Sequence, residues 1–159
     1  MLRMSKNGKG LCMEAMFFAS LHHAAILVLF AALLSERVLL AQEWNIKLAR
    51  SLALLDGIYG GAAAAVLGVG VMRVMFFEKG LDYYAHQHWF WGKMTLFAVG
   101  GALSIYPTIV FLRWRRDLAR GVLPEFSPAQ KMRVQTLMNA QIVILLVIPV
   151  FAYAVAHGI

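Results

Sequence analysis

Residues 15–40 read AMFFASLHHAAILVLFAALLSERVLL, an apolar run interrupted by Ser20, His22, His23, Ser35, Glu36 and Arg37. Crossing a bilayer's hydrocarbon takes roughly 20 apolar residues of helix, so this stretch is long enough to span it once. Three further runs share the property. They are Leu52 to Phe77 with Asp56 and Arg73 inside it, Trp89 to Leu112 with Lys93, and Leu137 to Ala156. The fourth helix is expected to begin before its apolar run, because Ser127-Pro128-Ala129-Gln130 supplies a capping Ser, a first-turn Pro and a reciprocating Gln in order. Lys131, Arg133 and Gln135 then extend it beyond the headgroups. The expected fold class is all-α, an integral membrane four-helix bundle.

Composition leads to the same place. Of 159 residues, 61% are hydrophobic and 14% charged, with mean hydropathy +0.69. Soluble domains are about half apolar and a quarter charged, and a chain this short has no core that would hide the excess. The net charge of +7 is basic enough for nucleic acid, but a chain buried in lipid cannot read bases, so the lipid bilayer is the expected partner and no nucleic acid is. The single cysteine, Cys12, excludes a disulfide framework and a multi-Cys zinc site. No phosphate-binding Gly-rich loop follows a strand pattern, which leaves nucleotide hydrolysis unsupported. Residues 1–12 form a basic tail that lacks the cleavage site of a signal peptide, with Met13 as an alternative start. Residues 13–159 then form one transmembrane domain.

Lys and Arg concentrate on the cytoplasmic side of membrane spans. The connections after spans one and three, with their flanks, hold Arg37, Lys47, Arg50, Arg113, Arg115, Arg116, Arg120, Lys131 and Arg133. The opposite side holds Arg73, Lys79 and Lys93, plus Arg3, Lys6 and Lys9 of the tail. The asymmetry predicts both termini outside, which in a bacterial inner membrane means periplasmic. Arg113-Trp114-Arg115-Arg116 is then a cytoplasmic anchor for anionic headgroups.

On this topology all five histidines fall at the outer side. His22 and His23 lie about two turns into helix one, His86 and His88 precede helix three, and His157 ends helix four. Adjacent helical residues point about 100° apart, so one of His22 and His23 is expected to face the bundle. An ionisable group in a span is a functional candidate by default, and a polar contact to a neighbouring helix is the structural alternative. Zinc fits poorly, since no short spacing on one helix offers two ligands on one face. Haem b needs one or two axial nitrogens, cations for its propionates and an apolar slot between helices. His22 or His23 is a candidate ligand to its iron, with His86, His88 or His157 as a second, and Arg73 and Lys93 suit the propionates. A rim of ion pairs with Glu78 and Asp82 is the competing account of those two cations. Gly60, Ala64 and Gly68, spaced by four, form a small-residue stripe suited to close helix packing or to a flat macrocycle. Gly100, Gly101 and Ser104 allow the same two readings.

The run Ala19-Ser-Leu-His-His-Ala, the pair Glu36-Arg37, Asp56-Gly and Trp91-Gly-Lys93 resemble a bacterial family of small four-span membrane proteins of unknown function, of the DUF2214 type, over residues 13–158. More distantly the chain is similar to HemJ-type protoporphyrinogen oxidases, four-span proteins that bind haem b. The likeness rests on a helix-one His, an Arg about four turns on, and a Lys near Trp at the head of helix three. Here those positions are His22 or His23, Arg37 and Lys93, while Glu36 stands where that family has a Pro. The resemblance implies haem binding, and it raises porphyrin as a substrate class.

Glu36, Arg37 and Asp56 lie toward the cytoplasmic ends of neighbouring helices. They read either as an ion pair closing the hairpin or as a proton or quinone-headgroup site, to which Tyr59, Asn139 and Gln141 are added. Pro107 and Pro149 bend helices three and four or shape a cavity. Met13, Met16, Met72 and Met75 lie near the histidines and suit Cu(I), or simply fill apolar gaps. The expected function is a haem b redox protein exchanging electrons with a small diffusible partner such as quinone. The alternative is a non-enzymatic copper-handling, transport or assembly protein without haem, packing as a homo-oligomer through the Gly60 to Gly68 stripe.

Overall fold

The computed structural model describes residues 4–77, 84 and 86–157. Four helices carry the chain: α1 (Met4–Leu39), α2 (Ile46–Met72), α3 (His88–Ala119) and α4 (Pro128–His157). All four are long and apolar enough to cross a membrane. The last turns of α2 run on through a wider π-type segment, Arg73–Phe77. Each helix packs against the next, and α1 also meets α4, so the bundle closes as a ring with α1 opposite α3 and α2 opposite α4.

Local chemistry sets the helix starts. Ser127 Oγ accepts from the Gln130 backbone N–H at 3.2 Å and Gln130 Oε1 accepts from the Ser127 N–H at 3.2 Å, so the capping box read from the sequence forms in full. The α2 helix starts six residues before its apolar run, at Ile46, because the Asn45 side chain accepts from the Leu48 N–H at 2.9 Å and satisfies an orphan donor of the first turn. The first span is longer than its hydropathy as well, with helix from Met4 onward. After α3, Gly121 takes a positive φ of 73°, a backbone conformation that costs a side chain dearly, and turns the chain toward α4.

Packing is uneven along the bundle axis. The buried core sits at the end that carries the α1–α2 and α3–α4 connections, where Leu33, Leu52, Phe111, Trp114, Val134 and Met138 interlock. An aromatic knot closes that end: Trp44, Trp114 and Phe126 lie within 5.0 Å of one another by ring centroids, and Phe111 packs on Trp114 at 4.9 Å. Trp44 Nε1 donates to the Pro124 carbonyl at 3.1 Å, tying one connection to the other. The opposite half is open by comparison. No residue of α3 before Pro107 is buried, none of α2 after Val66 is, and among the described residues α4 adds only Ala154 and Val155 beyond Gln141. Large apolar side chains such as Leu27, Leu54, Val143 and Val150 point outward, which is what a helix surrounded by lipid tails requires.

The stripe Gly60, Ala64, Gly68 does not serve helix packing inside the chain. A Cβ added at Gly60, Gly61, Gly68 or Gly101 would meet nothing within 4 Å, so these positions face outward, and Gly100 makes only ordinary contact with Ile144. Periodicity identified a face of small residues without saying which neighbour it would meet. The close approaches occur at Gly92, where a Cβ would come within 2.5 Å of the Phe151 ring, and at Gly70, which faces His22.

Candidate functional site

The histidines share one end of the bundle but not one site. His22 is the one that turns inward: it is half-buried and lies against the α2 backbone, with its Cε1 3.1 Å from where a Gly70 Cβ would be. A side chain at position 70 would push the imidazole out of its seat. Its Nδ1 is buried and has no hydrogen-bond partner, while the ring as a whole lies within hydrogen-bond reach of the Val66 backbone. His23, a third of a turn on, is exposed, and its Nδ1 lies 2.6 Å from the Ala19 carbonyl of its own helix. His86 and His88 are exposed near the start of α3. His157 stacks on Tyr153 at 3.9 Å and bonds that residue's carbonyl through Nδ1 at 2.9 Å. Local contacts along their own helices therefore hold His23 and His157, and the His23 ring stands edge-on to His22 with centroids 6.1 Å apart.

Arg73 and Lys93 are half-buried and both within electrostatic reach of His22. Lys93 Nζ also lies over the Phe90 ring, 5.3 Å from its centroid. Positioning comes from the backbone: Arg73 opens the π-type segment, and Lys93 follows the Gly92 position at which α3 and the Phe151 ring of α4 approach most closely. Glu78, Lys79 and Asp82, the rest of the expected rim, lie outside the described residues. Among the described residues no group of three His, Cys, Asp or Glu side chains converges to hold a metal ion. Met13, Met16, Met72 and Met75 are exposed on the outer surface of the bundle.

A second constellation lies deeper, toward the connection end. Among the described residues, Glu36 of α1, Asp56 of α2 and Gln141 of α4 are the buried polar side chains of the bundle, 2%, 5% and 2% exposed. Tyr59 donates its hydroxyl to Gln141 Oε1 at 2.9 Å, a bond that crosses the ring diagonal from α2 to α4. Thr108 of α3 donates to Asp56 Oδ1 at 2.7 Å. Gln141 Nε2 approaches the Leu137 carbonyl at 3.4 Å. Glu36 lies within electrostatic reach of Asp56 and Tyr59, yet its Oε1 is buried with no hydrogen-bond partner.

The ion pair expected to close the α1–α2 hairpin does not form. Arg37 is turned to α4 instead, where its Nε donates to Asn139 Oδ1 at 2.7 Å. Successive residues on a helix diverge by about 100°, so when Glu36 enters the core its neighbour must point elsewhere. Arg115 approaches Asp56 only from the exposed side of α3, its guanidinium 3.5 Å from the Ala53 carbonyl. Sequence reasoning named Glu36, Asp56, Tyr59 and Gln141 but missed Thr108. Its signal was a lone hydroxyl one residue after Pro107, facing the level of Asp56.

Every helix thus supplies one or more polar groups to a membrane-embedded site, and the half of the bundle above it is loosely filled. Comparison with known proteins adds little to that geometry. No curated protein and no solved structure matches the chain. One family model does match, over residues 14–159, which is all but the basic start of the chain, and its description is "Predicted membrane protein (DUF2214)". The chain belongs to this family of four-helix membrane proteins.

Proposed function

We propose that this protein is a haem b-binding redox protein of a bacterial inner membrane, in which His22 would hold the iron. The observation that carries the reading is the unpartnered, buried Nδ1 of an imidazole seated against the Gly70 backbone. Ring nitrogens buried in an apolar span are expensive to leave unsatisfied, and an iron held by the ring would supply a partner once the imidazole turns that nitrogen off the Gly70 backbone. Three further features fit. Arg73 and Lys93 bring two positive charges to the same end of the bundle, suited to the two propionates. Among the described residues, α2 after Val66 and α3 before Pro107 bury no side chain, although α3 and α4 meet closely at Gly92 and Phe151. The cradle also depends on Gly70 having no side chain.

When bound, haem b would supply one-electron chemistry at its iron, and the protein would set its potential through ligand, burial and charge. His22 offers one protein nitrogen. His23, His86, His88 and His157 take no part in this reading, since His23 and His157 bond to their own helices and the other two are exposed. A lipid-soluble quinone is the natural exchange partner for a haem at this depth, and the charge asymmetry of the connections argues for both termini in the periplasm.

The test is the absorption spectrum of protein purified in mild detergent from haem-replete cells, oxidised and then reduced with dithionite. A Soret peak with sharp reduced α and β bands, lost in His22→Ala and retained in His23→Ala, is the expected result. A colourless preparation, or a spectrum unchanged in His22→Ala, would overturn the proposal. One observation favours a second reading, a cofactor-free assembly or transport subunit: the outward-facing Gly60, Gly61 and Gly68 suit contact with another membrane helix. That reading predicts no spectrum in any variant and an oligomer broken by Gly60→Leu.

A further inference from the structure

The buried carboxylates stand apart from the histidine end, and their chemistry is independent of haem. Two acidic side chains from adjacent helices, each at least nine-tenths buried, share one low-dielectric region toward the connection end of the bundle. Two carboxylates so placed cannot both be ionised without a compensating cation. Among the described residues, the charged and titratable groups around them are few. On α1, Arg37 is turned away and bonded to Asn139. On α2, Tyr59 donates its hydroxyl to Gln141. On α3, Arg115 approaches Asp56 from the exposed side of the helix. On α4 the facing groups are the neutral Gln141 and Asn139.

The two acids are not equivalent. Asp56 receives a hydroxyl hydrogen bond from Thr108 at 2.7 Å and has the Arg115 charge nearby. Glu36 has neither: it is 2% exposed, and its Oε1 accepts no hydrogen bond. An ionised oxygen in that position would lack both water and a donor. We propose that Glu36 is an intramembrane proton-binding residue, carrying one proton beside the hydrogen-bonded Asp56, with the Tyr59–Gln141 bond as the fixed wall of the site. The proton adds to the Glu36 carboxylate and leaves from it as such, with water as its source and sink and no other bond made or broken. A carboxylic acid held this way in a span can take up or release charge in step with another event in the bundle.

The test uses the full chain in detergent and in liposomes. Infrared difference spectra on proton exchange should show the carbonyl stretch of a protonated carboxylic acid in the wild type. That band should vanish in Glu36→Gln and persist in Asp56→Asn. Dicyclohexylcarbodiimide, which adds to protonated carboxyl groups in apolar surroundings, should label Glu36 and leave the exposed Glu43 and Glu125 unmodified, as read by mass spectrometry of peptides. Glu36→Gln imitates the neutral acid in shape and should keep the wild-type elution and thermal midpoint. Four results would overturn the proposal: no protonated-acid band, a band that survives Glu36→Gln, unfolding of Glu36→Gln while the wild type is stable, or protection of Glu36 from the reagent by sodium at constant pH. The last would reassign the pair as a cation site. A missing haem spectrum would leave all of these readouts unchanged.

Discussion

The Tyr59–Gln141 hydrogen bond allows a quantitative test of how the diagonal helices are held. Tyr59→Phe removes the hydroxyl that donates to Gln141 Oε1 at 2.9 Å and leaves that oxygen in a side chain only 2% exposed. A buried acceptor stripped of its donor costs about 1–3 kcal/mol in water-soluble proteins. In membranes the unfolded reference still finds partners, and interhelical hydrogen bonds average nearer 0.6 kcal/mol, with a ceiling of about 1.7. Gln141 has a second weak contact, to the Leu137 carbonyl at 3.4 Å, so part of its polar capacity stays satisfied after the substitution. The expected cost of Tyr59→Phe is therefore about 1 kcal/mol, a change of roughly fivefold in the folded-to-unfolded ratio. The assay is reversible unfolding in mixed micelles with rising dodecyl sulfate, followed by tryptophan fluorescence from the Trp44–Trp114 knot, for wild type, Tyr59→Phe, Gln141→Leu and the double variant. The coupling energy across the cycle should be about 0.6–1.7 kcal/mol and favourable. A coupling indistinguishable from zero would refute the idea that this bond joins α2 to α4, and would mean apolar packing alone closes the ring.

Other perturbations test other parts of the structure. Gly92→Ala should destabilise by about 1–3 kcal/mol through overpacking, because the new methyl would lie 2.5 Å from the Phe151 ring, and Gly92→Ala/Phe151→Leu should recover much of it in the same unfolding assay. By contrast Gly61→Ala, which meets nothing within 4 Å, should be neutral or slightly stabilising in a monomer. Ser127→Ala should cost about 1 kcal/mol by removing half of a capping box, measurable as a lower unfolding midpoint. Phe111→Ala, at a fully buried ring, should cost about 3–5 kcal/mol and release the aromatic knot, seen as a red shift of tryptophan emission.

The α4 cap was legible because all of its information is local: Ser127 and Gln130 satisfy each other three residues apart whatever the rest of the chain does. The four spans were legible because length and hydropathy alone decide them. The start of α2 was misplaced by hydropathy, since Lys47 and Arg50 mask a helix that Asn45 caps. At the site, the sequence narrowed the inward histidine to His22 or His23 but could not choose between them, because the choice depends on where the α2 backbone comes closest, and that is set at Gly70. Glu36 was visible as an acid in a span, but its lack of an Arg partner was not. Chain adjacency to Arg37 suggested a pair that helix geometry forbids, and the actual partner of Arg37 lies at Asn139, on the last helix. The outward glycines show the same limit: a periodic face is a local property, whereas its neighbour is a global one.

The indole of Trp44 takes on another role when the chain is considered as something made from one end to the other. It projects from the first connection and donates its N–H to a carbonyl in the second, at Pro124. The α1–α2 hairpin is synthesised with that hydrogen unmatched, and the matching oxygen emerges only after α3. Trp44 is therefore a latch that engages when the second hairpin arrives, so the two hairpins can enter the bilayer one after the other and be joined afterwards.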